Sequence, residues 1–380
     1  MIAVNGCRIL QIVTASFFAW VFLTTFLGYL SDNATWPKNL SSISSKLASD
    51  KAFAHIQNET LGFGHVYAIG LKERADKRDF LTLAASETGF KVEWLDGVLP
   101  SSLQQKAMPS GYNISATVPA IIACWRAHMN FLLDVIENEY SSALVLEDDA
   151  DWDVNIKSQL HEFARGLHAL QGESKVSKQH PYGTDWDLLW IGGCGSAPFP
   201  NETKFYAIPD DPTCPNIENR ITLGGVPDNW KTRFPDDSTR FLFKAEAGCC
   251  TYGYAVSNKG AKKILAQLEL DHIDTPVDLA LSDLCGGKGR RQIDCYAPFP
   301  QIIGTYRQAG PSSRLSDISS SEASEIREES SVNVGYSTRL NIQRLAAGDA
   351  TVFSQWDNQP WTEKEISVQE FVYPRGYLVN

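Results

Sequence analysis

The sequence predicts an α/β domain on a mixed, mainly parallel sheet, preceded by a transmembrane helix. Short apolar segments with the period of β-strands alternate with segments whose apolar residues recur at helical spacing, a pattern typical of parallel sheets. Near the N-terminus, residues 9–30 form a 22-residue run without a charged side chain. About 20 such residues span a bilayer, so this run predicts the membrane helix.

The N-terminal segment also indicates a compartment. Arg8 precedes the apolar run, so residues 1–8 are expected to stay cytoplasmic and the rest of the chain to lie in the lumen. Aromatic residues near the end of the run make a poor signal-peptidase site, which favours a signal anchor over a long cleaved signal peptide. We expect a single-pass type II protein of the Golgi or endoplasmic reticulum membrane.

The remainder divides by composition into a stem and a folded region. Residues 31–62 are polar and rich in Ser and Asn, which indicates a lumenal stem, and residues 63–380 are expected to form one catalytic domain. The net charge of −11 argues against a sequence-independent nucleic-acid binder, which needs a basic surface. Five glycosylation sequons agree with a lumenal location: Asn33, Asn39, Asn58, Asn113 and Asn201.

Cysteine usage also agrees with an oxidising lumen. Six cysteines cluster in the second half of the chain and are expected to form disulfides of undetermined connectivity. The adjacent Cys249 and Cys250 are expected to bond to different partners, and Cys124 to remain a free thiol. A zinc site is not expected, because the sequence has no C-x-x-C pair. The six are Cys194, Cys214, Cys249, Cys250, Cys285 and Cys295.

The elements follow in order along the folded region. Residues 119–140 are the clearest helix, and residues 258–270 and 277–284 predict two more. Residues 194–247 show no strong period and predict a disulfide-tied insertion beside the site, and the Ser-rich residues 312–331 predict a mobile segment. The remaining predictions are strands at 65–70, 91–97, 142–148 and 185–193 and a helix at 75–89. The apolar face of helix 119–140 comprises Ile121, Cys124, Trp125, His128, Leu132, Val135 and Ile136.

The segment "ALVLEDDADWD", residues 143–153, places five carboxylates after a short apolar strand. Ligands of open α/β sheets bind at the carboxyl ends of strands. A calcium-binding EF-hand is excluded, because Val154 stands where the loop needs Gly and Leu160 where it needs Glu. A solvated turn with Asp153 as a helix N-cap remains open. A divalent-cation site is favoured, since Mg²⁺ and Mn²⁺ take carboxylate oxygens together with substrate phosphates.

Several segments, in order along the chain, resemble motifs of glycosyltransferase family 25, the lipopolysaccharide and procollagen galactosyltransferase-like enzymes. "VLEDDADWD" resembles the family's LEDD motif. The chain departs from the family pattern at Gly70, Ala123 and Ala127, where the family has Asn, Gly and Ser. The other similar segments are "VYAIGLKERADKR" (66–78), "IIACWRAHMNFL" (121–132), "DWDLLWIGG" (185–193), "YGYAVSNKGAKKIL" (252–265), "TPVDLALSD" (275–283) and "RLSDIS" (314–319).

The resemblance implies a GT-A-like nucleotide-sugar-binding domain. Such an enzyme moves a sugar, often galactose, from a UDP-sugar donor to a glycan or glycoprotein acceptor with inversion at the anomeric carbon. A Mn²⁺ or Mg²⁺ ion would neutralise the charge that develops on the leaving diphosphate. The implied metal ligands are Asp149, with Asp151 or Glu147 nearby.

The same resemblance suggests donor-binding residues. Arg74, Asp76 and Arg78 follow the first strand, and Arg forms a planar fork that suits phosphate. His128 and Asp148 complete the implied donor site. Two alternatives stay open: the arginines are only solvated surface residues of a helix, and His128 is a buried structural histidine.

Inversion also requires a base near the acceptor. Asp278 is the first candidate, and Asp274 and Asp283 are the next; a helix-capping role for Asp278 is the alternative. A catalytically inactive lumenal carbohydrate-binding protein on the same fold is the second hypothesis for the whole chain. A metal-dependent hydrolase is disfavoured, because the sequence lacks a ligand set such as H-E-x-x-H.

Overall fold

The structure, a computed structural model, describes residues 53–109, 118–173, 176–270, 275–318 and 325–380. The predicted anchor (9–30), most of the predicted stem and the candidate base Asp274 lie outside these residues. In the part of the chain that is described, no helix has the length and apolar character needed to cross a membrane. Three sequons also lie outside it: Asn33, Asn39 and Asn113.

The described residues form helices and strands close to the predicted ones. The helices are α1 Ala75–Glu87, α2 Pro119–Glu137, α3 Ile156–Gln171, α4 Asp228–Arg233, α5 Asn258–Leu268, α6 Val277–Gly286 and α7 Ile342–Ala347. The strands are β1 His65–Gly70, β2 Glu93–Asp96, β3 Ser142–Glu147, β4 Ala150–Trp152, β5 Leu188–Gly192, β6 Gly195–Pro198, β7 Phe205–Ile208, β8 Arg240–Cys249, β9 Gly253–Ser257, β10 Cys295–Phe299, β11 Ile303–Arg307, β12 Gly310–Pro311, β13 Ile326–Arg327, β14 Ser330–Val332, β15 Thr351–Phe353, β16 Glu365–Ser367 and β17 Tyr377–Val379.

The central sheet is mixed, as predicted. In the described part of the chain its strands lie in the order β17-β7-β8-β10-β5-β9-β3-β1-β2. Strands β1, β2 and β3 are parallel, β9 runs antiparallel between β3 and β5, and β5 is parallel to β10. β1, β2, β3, β5 and β10 therefore all end at one edge of the sheet. This architecture fits the GT-A-like fold that the sequence motifs imply.

Helices cover both faces of the sheet. Apolar residues of α2, α5 and α6 pack on one face, and those of α1 and α3 pack on the other. α2 is buried on more of its circumference than predicted, because it packs against the sheet on one side and α5 on the other. Its predicted Trp125, His128, Leu132 and Val135 are buried, but so are Ile122, Met129 and Phe131.

The segment 194–247, predicted as a disulfide-tied insertion beside the site, contributes strands to the central sheet. Its strand β7 and the ten-residue β8 are members of the central sheet, with β8 between β7 and β10. Strand β8 was not predicted from the sequence. Its first residue, Arg240, is charged, and a charged residue rarely lies in a buried strand. Arg240 Nε meets Asp211 Oδ2 at 2.6 Å, and this ion pair lets it stay buried.

Disulfides form, but fewer than predicted. Cys194 bonds to Cys250, and Cys285 bonds to Cys295. Cys124 is a free thiol, as predicted. Two of the six clustered cysteines, Cys214 and Cys249, are also free, so the expectation that all six pair is wrong.

Candidate functional site

A cleft opens at the carboxyl ends of β1 and β3. It is lined by the ends of both strands, by α2 and by the acidic turn after β3. At the end of β1, a Cβ on Gly70 would lie 2.7 Å from the Cβ of Asp148. Glycine at this position therefore allows the Asp148 side chain to lie over the strand end.

Glu147 is the last residue of β3, and its carboxylate is held by two neighbours. It accepts a hydrogen bond from the Thr251 hydroxyl, and its Oε1 lies 3.6 Å from His128 Nε2. Burial alone would raise the pKa of Glu147, but His128 and Thr251 hold it below its usual value. Burial would lower the pKa of His128, yet Tyr254, Cys124 and Glu147 raise it well above normal. Glu147 and His128 therefore form a close pair that lines the cleft.

His128 is buried, as the structural alternative expected, and it is also one of the cleft-lining residues. Its ring is buried at 1% exposure, and Nδ1 lies 3.0 Å from the Tyr254 hydroxyl. It also lines the cleft through α2. His128 therefore orients Glu147 from within the core.

Asp148 faces a lysine that the sequence analysis did not select. Its Oδ1 lies 2.9 Å from Nζ of Lys77, a residue of α1. Burial raises the pKa of Asp148 to about 6, although Lys77 opposes the shift. Lys77 is one helical turn beyond Arg74, so its position on the same face of α1 was readable from the helical period.

Asp149 carries the least satisfied carboxylate of the acidic turn. Among the described residues its Oδ1 has no hydrogen-bond partner although the atom is buried. Burial and the nearby Glu147 carboxylate raise the pKa of Asp149. Unpaired buried polar atoms are costly and call for an explanation such as a bound ion.

A hard divalent cation fits this carboxylate chemistry. Glu147, Asp148 and Asp149 all line the cleft and supply oxygen ligands, which Mg²⁺ and Mn²⁺ prefer. The described residues contain no preformed group of three or more protein ligands. Any cation held here would therefore need water and substrate phosphates to complete its coordination, which is how Mg²⁺ is usually bound.

Asp151, predicted as a possible metal ligand, lies outside the cleft. Both of its oxygens are occupied: Oδ1 accepts from the backbone N–H of Trp152 and Arg339, and Oδ2 accepts from the hydroxyls of Ser331 and Ser337. Its side chain is fully buried. Asp151 holds the C-terminal segment against the acidic turn and has no oxygen left for a metal.

Asp153 does not cap α3, which corrects the N-cap alternative. The helix begins at Ile156 with Asn155 in the N-cap position and no side-chain cap bond. Asp153 instead accepts from the backbone N–H of Asn155 at 2.9 Å and of Tyr336 at 3.3 Å. Burial raises its pKa to about 7.

The two predicted donor-binding arginines, Arg74 and Arg78, lie in different places. Arg74 pairs with Asp76 at 2.9 Å and with Asp317 at 2.6 Å, beside the acidic turn. Arg78 turns away, pairs with Asp96 at 2.7 Å and lies over the Trp94 ring. It is not among the cleft-lining residues, so the structure does not bring it to the predicted donor site.

Arg339 is a second functional candidate that sequence reasoning missed. Its Nη2 donates to the backbone carbonyl of Asp148 at 2.8 Å, and its guanidinium stacks near Phe80 and Tyr306. Together with Asp149, Arg74 and Lys77 it lines a small side pocket next to the cleft. It lies 191 residues beyond Asp148 in the sequence, so no local pattern could reveal it.

Two consecutive residues, Cys250 and Thr251, connect Asp278 to the acidic turn by hydrogen bonds. Asp278 Oδ2 accepts from the Cys250 N–H at 3.0 Å, and the next residue, Thr251, donates to Glu147. The base candidate is thus linked to the end of β3 through Cys250 and Thr251, but it is not among the residues that line the cleft. Asp278 is in the first turn of α6 but makes no side-chain cap bond, so the capping alternative is not what the geometry shows. Asp283 lies towards the other end of α6.

The backbone at Cys250, which connects Asp278 to Glu147, is fixed by its neighbours. Cys250 has φ +55°, a left-handed conformation that costs energy for a non-glycine residue. Its disulfide to Cys194 and a 2.9 Å hydrogen bond from Trp190 Nε1 to its carbonyl keep it there. The disulfide thus fixes the backbone that joins Asp278 to Glu147.

A mixed α/β sheet with carboxylates at the ends of its strands fits the nucleotide-sugar-binding class of fold. Comparison with known proteins points to glycosyltransferases. Procollagen galactosyltransferase 2 of Mus musculus is 26% identical over 218 residues, which cover 54% of this chain and 28% of that protein. The Homo sapiens protein of the same name is 24% identical over 218 residues, with the same coverage.

A third relative agrees. Procollagen galactosyltransferase 1 of Danio rerio is 23% identical over 233 residues, which cover 58% of this chain and 31% of the relative. The matched segments thus span less than a third of each of these three relatives. No family model matches the chain.

Proposed function

We propose that this protein is a glycosyltransferase that moves galactose from a UDP-sugar donor to a glycan or glycoprotein acceptor with inversion. The observation that carries the proposal is the buried Oδ1 of Asp149, which has no hydrogen-bond partner among the described residues and lies in the cleft where parallel strands end. The names of the relatives support galactose as the sugar and a glycoprotein as the acceptor.

The donor would lie along the cleft. Small side chains of α2, Ala120, Ala123 and Ala127, leave room for the nucleoside on its apolar side. The diphosphate would lie between Lys77 and the acidic turn. Asp149, with Glu147 or Asp148, would hold Mn²⁺ or Mg²⁺, which when bound neutralises charge on the leaving diphosphate.

The acceptor would approach from the side of Asp278. In an inverting transfer this carboxylate accepts the proton of the acceptor hydroxyl as the hydroxyl oxygen attacks the anomeric carbon. Its half-buried position, fixed by the Cys250 N–H, orients it for that role. We further propose that the reaction takes place in the Golgi or endoplasmic reticulum lumen, with the chain anchored by residues 9–30.

The proposal is tested by screening UDP- and GDP-sugars for release of nucleoside diphosphate, with and without Mn²⁺. Metal-dependent release with UDP-galactose, lost in Asp149→Ala, is expected. Folded protein that releases no nucleotide from any donor but binds free glycans would instead identify the non-catalytic carbohydrate-binding alternative.

A further inference from the structure

One wall of the cleft is made by a segment that lies far along the sequence from the other lining residues. Residues 315–318 line the cleft opposite α2, and Arg314 lines the adjoining side pocket. The segment is attached through Asp317. Its two oxygens lie 2.7 and 2.6 Å from Nη1 of Arg74, and its Oδ2 lies 2.9 Å from Nζ of Lys77.

These contacts resemble those that a bound phosphate makes. Arg and Lys converge on one anionic group, and both kinds of side chain are the usual partners of phosphate oxygens. Burial would raise the pKa of Asp317, but Arg74 and Lys77 hold it below its usual value, so the group is a carboxylate anion. Lys77 also touches Asp148 at 2.9 Å, which places this anion position beside the acidic turn.

We propose that Asp317 occupies, in the free protein, the anion site formed by Arg74 and Lys77, and that the diphosphate of a nucleotide donor displaces it. The identity of the ligand rests on the proposed function; the occupied anion site rests on the contacts alone. Displacement releases residues 314–318 from the cleft wall, because Arg74 Nη2 also donates to the Arg314 carbonyl at 3.1 Å.

An internal competitor lowers apparent affinity. Only the fraction of molecules in which Asp317 has left the site can bind a diphosphate, and the apparent dissociation constant rises by the inverse of that fraction. Removal of the carboxylate should therefore strengthen diphosphate binding. A residue that merely built the pocket would have the opposite effect when replaced.

The test is titration calorimetry of the full chain with inorganic pyrophosphate and, separately, with UDP. Asp317→Asn is expected to bind pyrophosphate about fivefold more tightly or better, the lower end of typical coupling between sites. Lys77→Met is expected to lose pyrophosphate binding. Asp96→Asn is the matched control: it makes the same charge change and breaks a similar ion pair, with Arg78, but Asp96 does not line the cleft. The Asp96→Asn variant should bind pyrophosphate with the same affinity as the wild-type protein.

Trypsin gives a second measurement that needs no variant. Cleavage after Arg314 should become faster when pyrophosphate is added, since the ligand detaches this segment from Arg74.

Unchanged or weaker pyrophosphate binding by Asp317→Asn, or no binding by either protein, would overturn the inference. Failure of the proposed function looks different: pyrophosphate would bind and respond to Asp317→Asn, but UDP would bind no better than pyrophosphate and no sugar would be transferred.

Discussion

Replacement of Asp151 by alanine is expected to destabilise the protein strongly, whereas the same change at Asp149 is expected to leave its stability almost unchanged. The two carboxylates are two positions apart in the sequence and look equivalent there. Asp151 has four protein donors and full burial, but Asp149 Oδ1 has no partner among the described residues.

The size of the stability loss in Asp151→Ala follows from the hydrogen-bond donors that lose their acceptor. Asp151→Ala removes the acceptor of two backbone N–H groups, which cannot turn elsewhere, and of two hydroxyls, from Ser331 and Ser337, which can rotate. An unsatisfied buried donor costs about 1–3 kcal/mol. Burial raises the pKa of Asp151, so part of the cost of a buried charge is relieved by its removal. The expected loss is roughly 3–5 kcal/mol, typical of breaking a buried charged network.

For Asp149→Ala the expected change is within about 1 kcal/mol, because Oδ1 accepts no hydrogen bond from the described residues and repulsion with Glu147 is relieved. Urea denaturation followed by tryptophan fluorescence measures both variants, with Asp151→Asn as the isosteric control, expected to lose less than Asp151→Ala. Sugar transfer should vanish in Asp149→Ala while its unfolding midpoint stays near that of the wild type. If Asp151→Ala unfolds at the same urea concentration as Asp149→Ala, the distinction between a structural and a functional carboxylate is refuted.

Three further predictions test other parts of the molecule. Asp278→Asn should lower kcat by about 10²–10⁴ with unchanged donor binding; a kcat within threefold of the wild type would exclude Asp278 as the base. Cys194→Ser opens a disulfide loop with a sequence separation of 56 and should cost about 4 kcal/mol in urea unfolding, whereas Cys285→Ser, with a separation of 10, should cost about 3 kcal/mol; the reverse order would contradict this reasoning. Burial lowers the pKa of His168, so the unfolded chain binds its proton more readily and stability should fall as pH drops below about 6.5. His168→Gln should flatten that slope between pH 7 and 5, and an identical slope would contradict the assignment.

The sequence predicted the elements whose patterns are local. β1, β3, α1 and α2 follow from period and from end signals, and they suffice to place the acidic turn at the end of β3. The carboxylates of that turn could be found in this way, and Lys77 was readable beside Arg74. Arg78 was chosen instead because it matches a charged position of the family motif, and the motif does not show that Arg78 pairs with Asp96 away from the cleft.

Other parts of the site depend on long-range contacts that no local pattern carries. Arg339 reaches the side pocket from far along the chain, and the segment "RLSDIS" contains Asp317 but does not show that it lies against Arg74 and Lys77. The difference between Asp149 and Asp151 comes from Ser331 and Ser337, which occupy one carboxylate and leave the other open. Strand β8 could not be predicted locally either, because its buried Arg240 needs an ion pair with Asp211, which precedes the strand by 29 residues.

The bonds from Asp151 to the C-terminal segment also set the order of events during synthesis. The Arg339 N–H that it accepts belongs to a residue made 188 positions later. At about 5–20 residues per second this interval lasts roughly 10–40 seconds. For most of that time the nascent chain already carries every carboxylate of the acidic turn, but Asp151 lacks three of its four donors, those of Ser331, Ser337 and Arg339. A premature stop codon between Asp151 and Ser331 would leave the chain with its acidic motif intact but with Asp151 deprived of the donors of Ser331, Ser337 and Arg339.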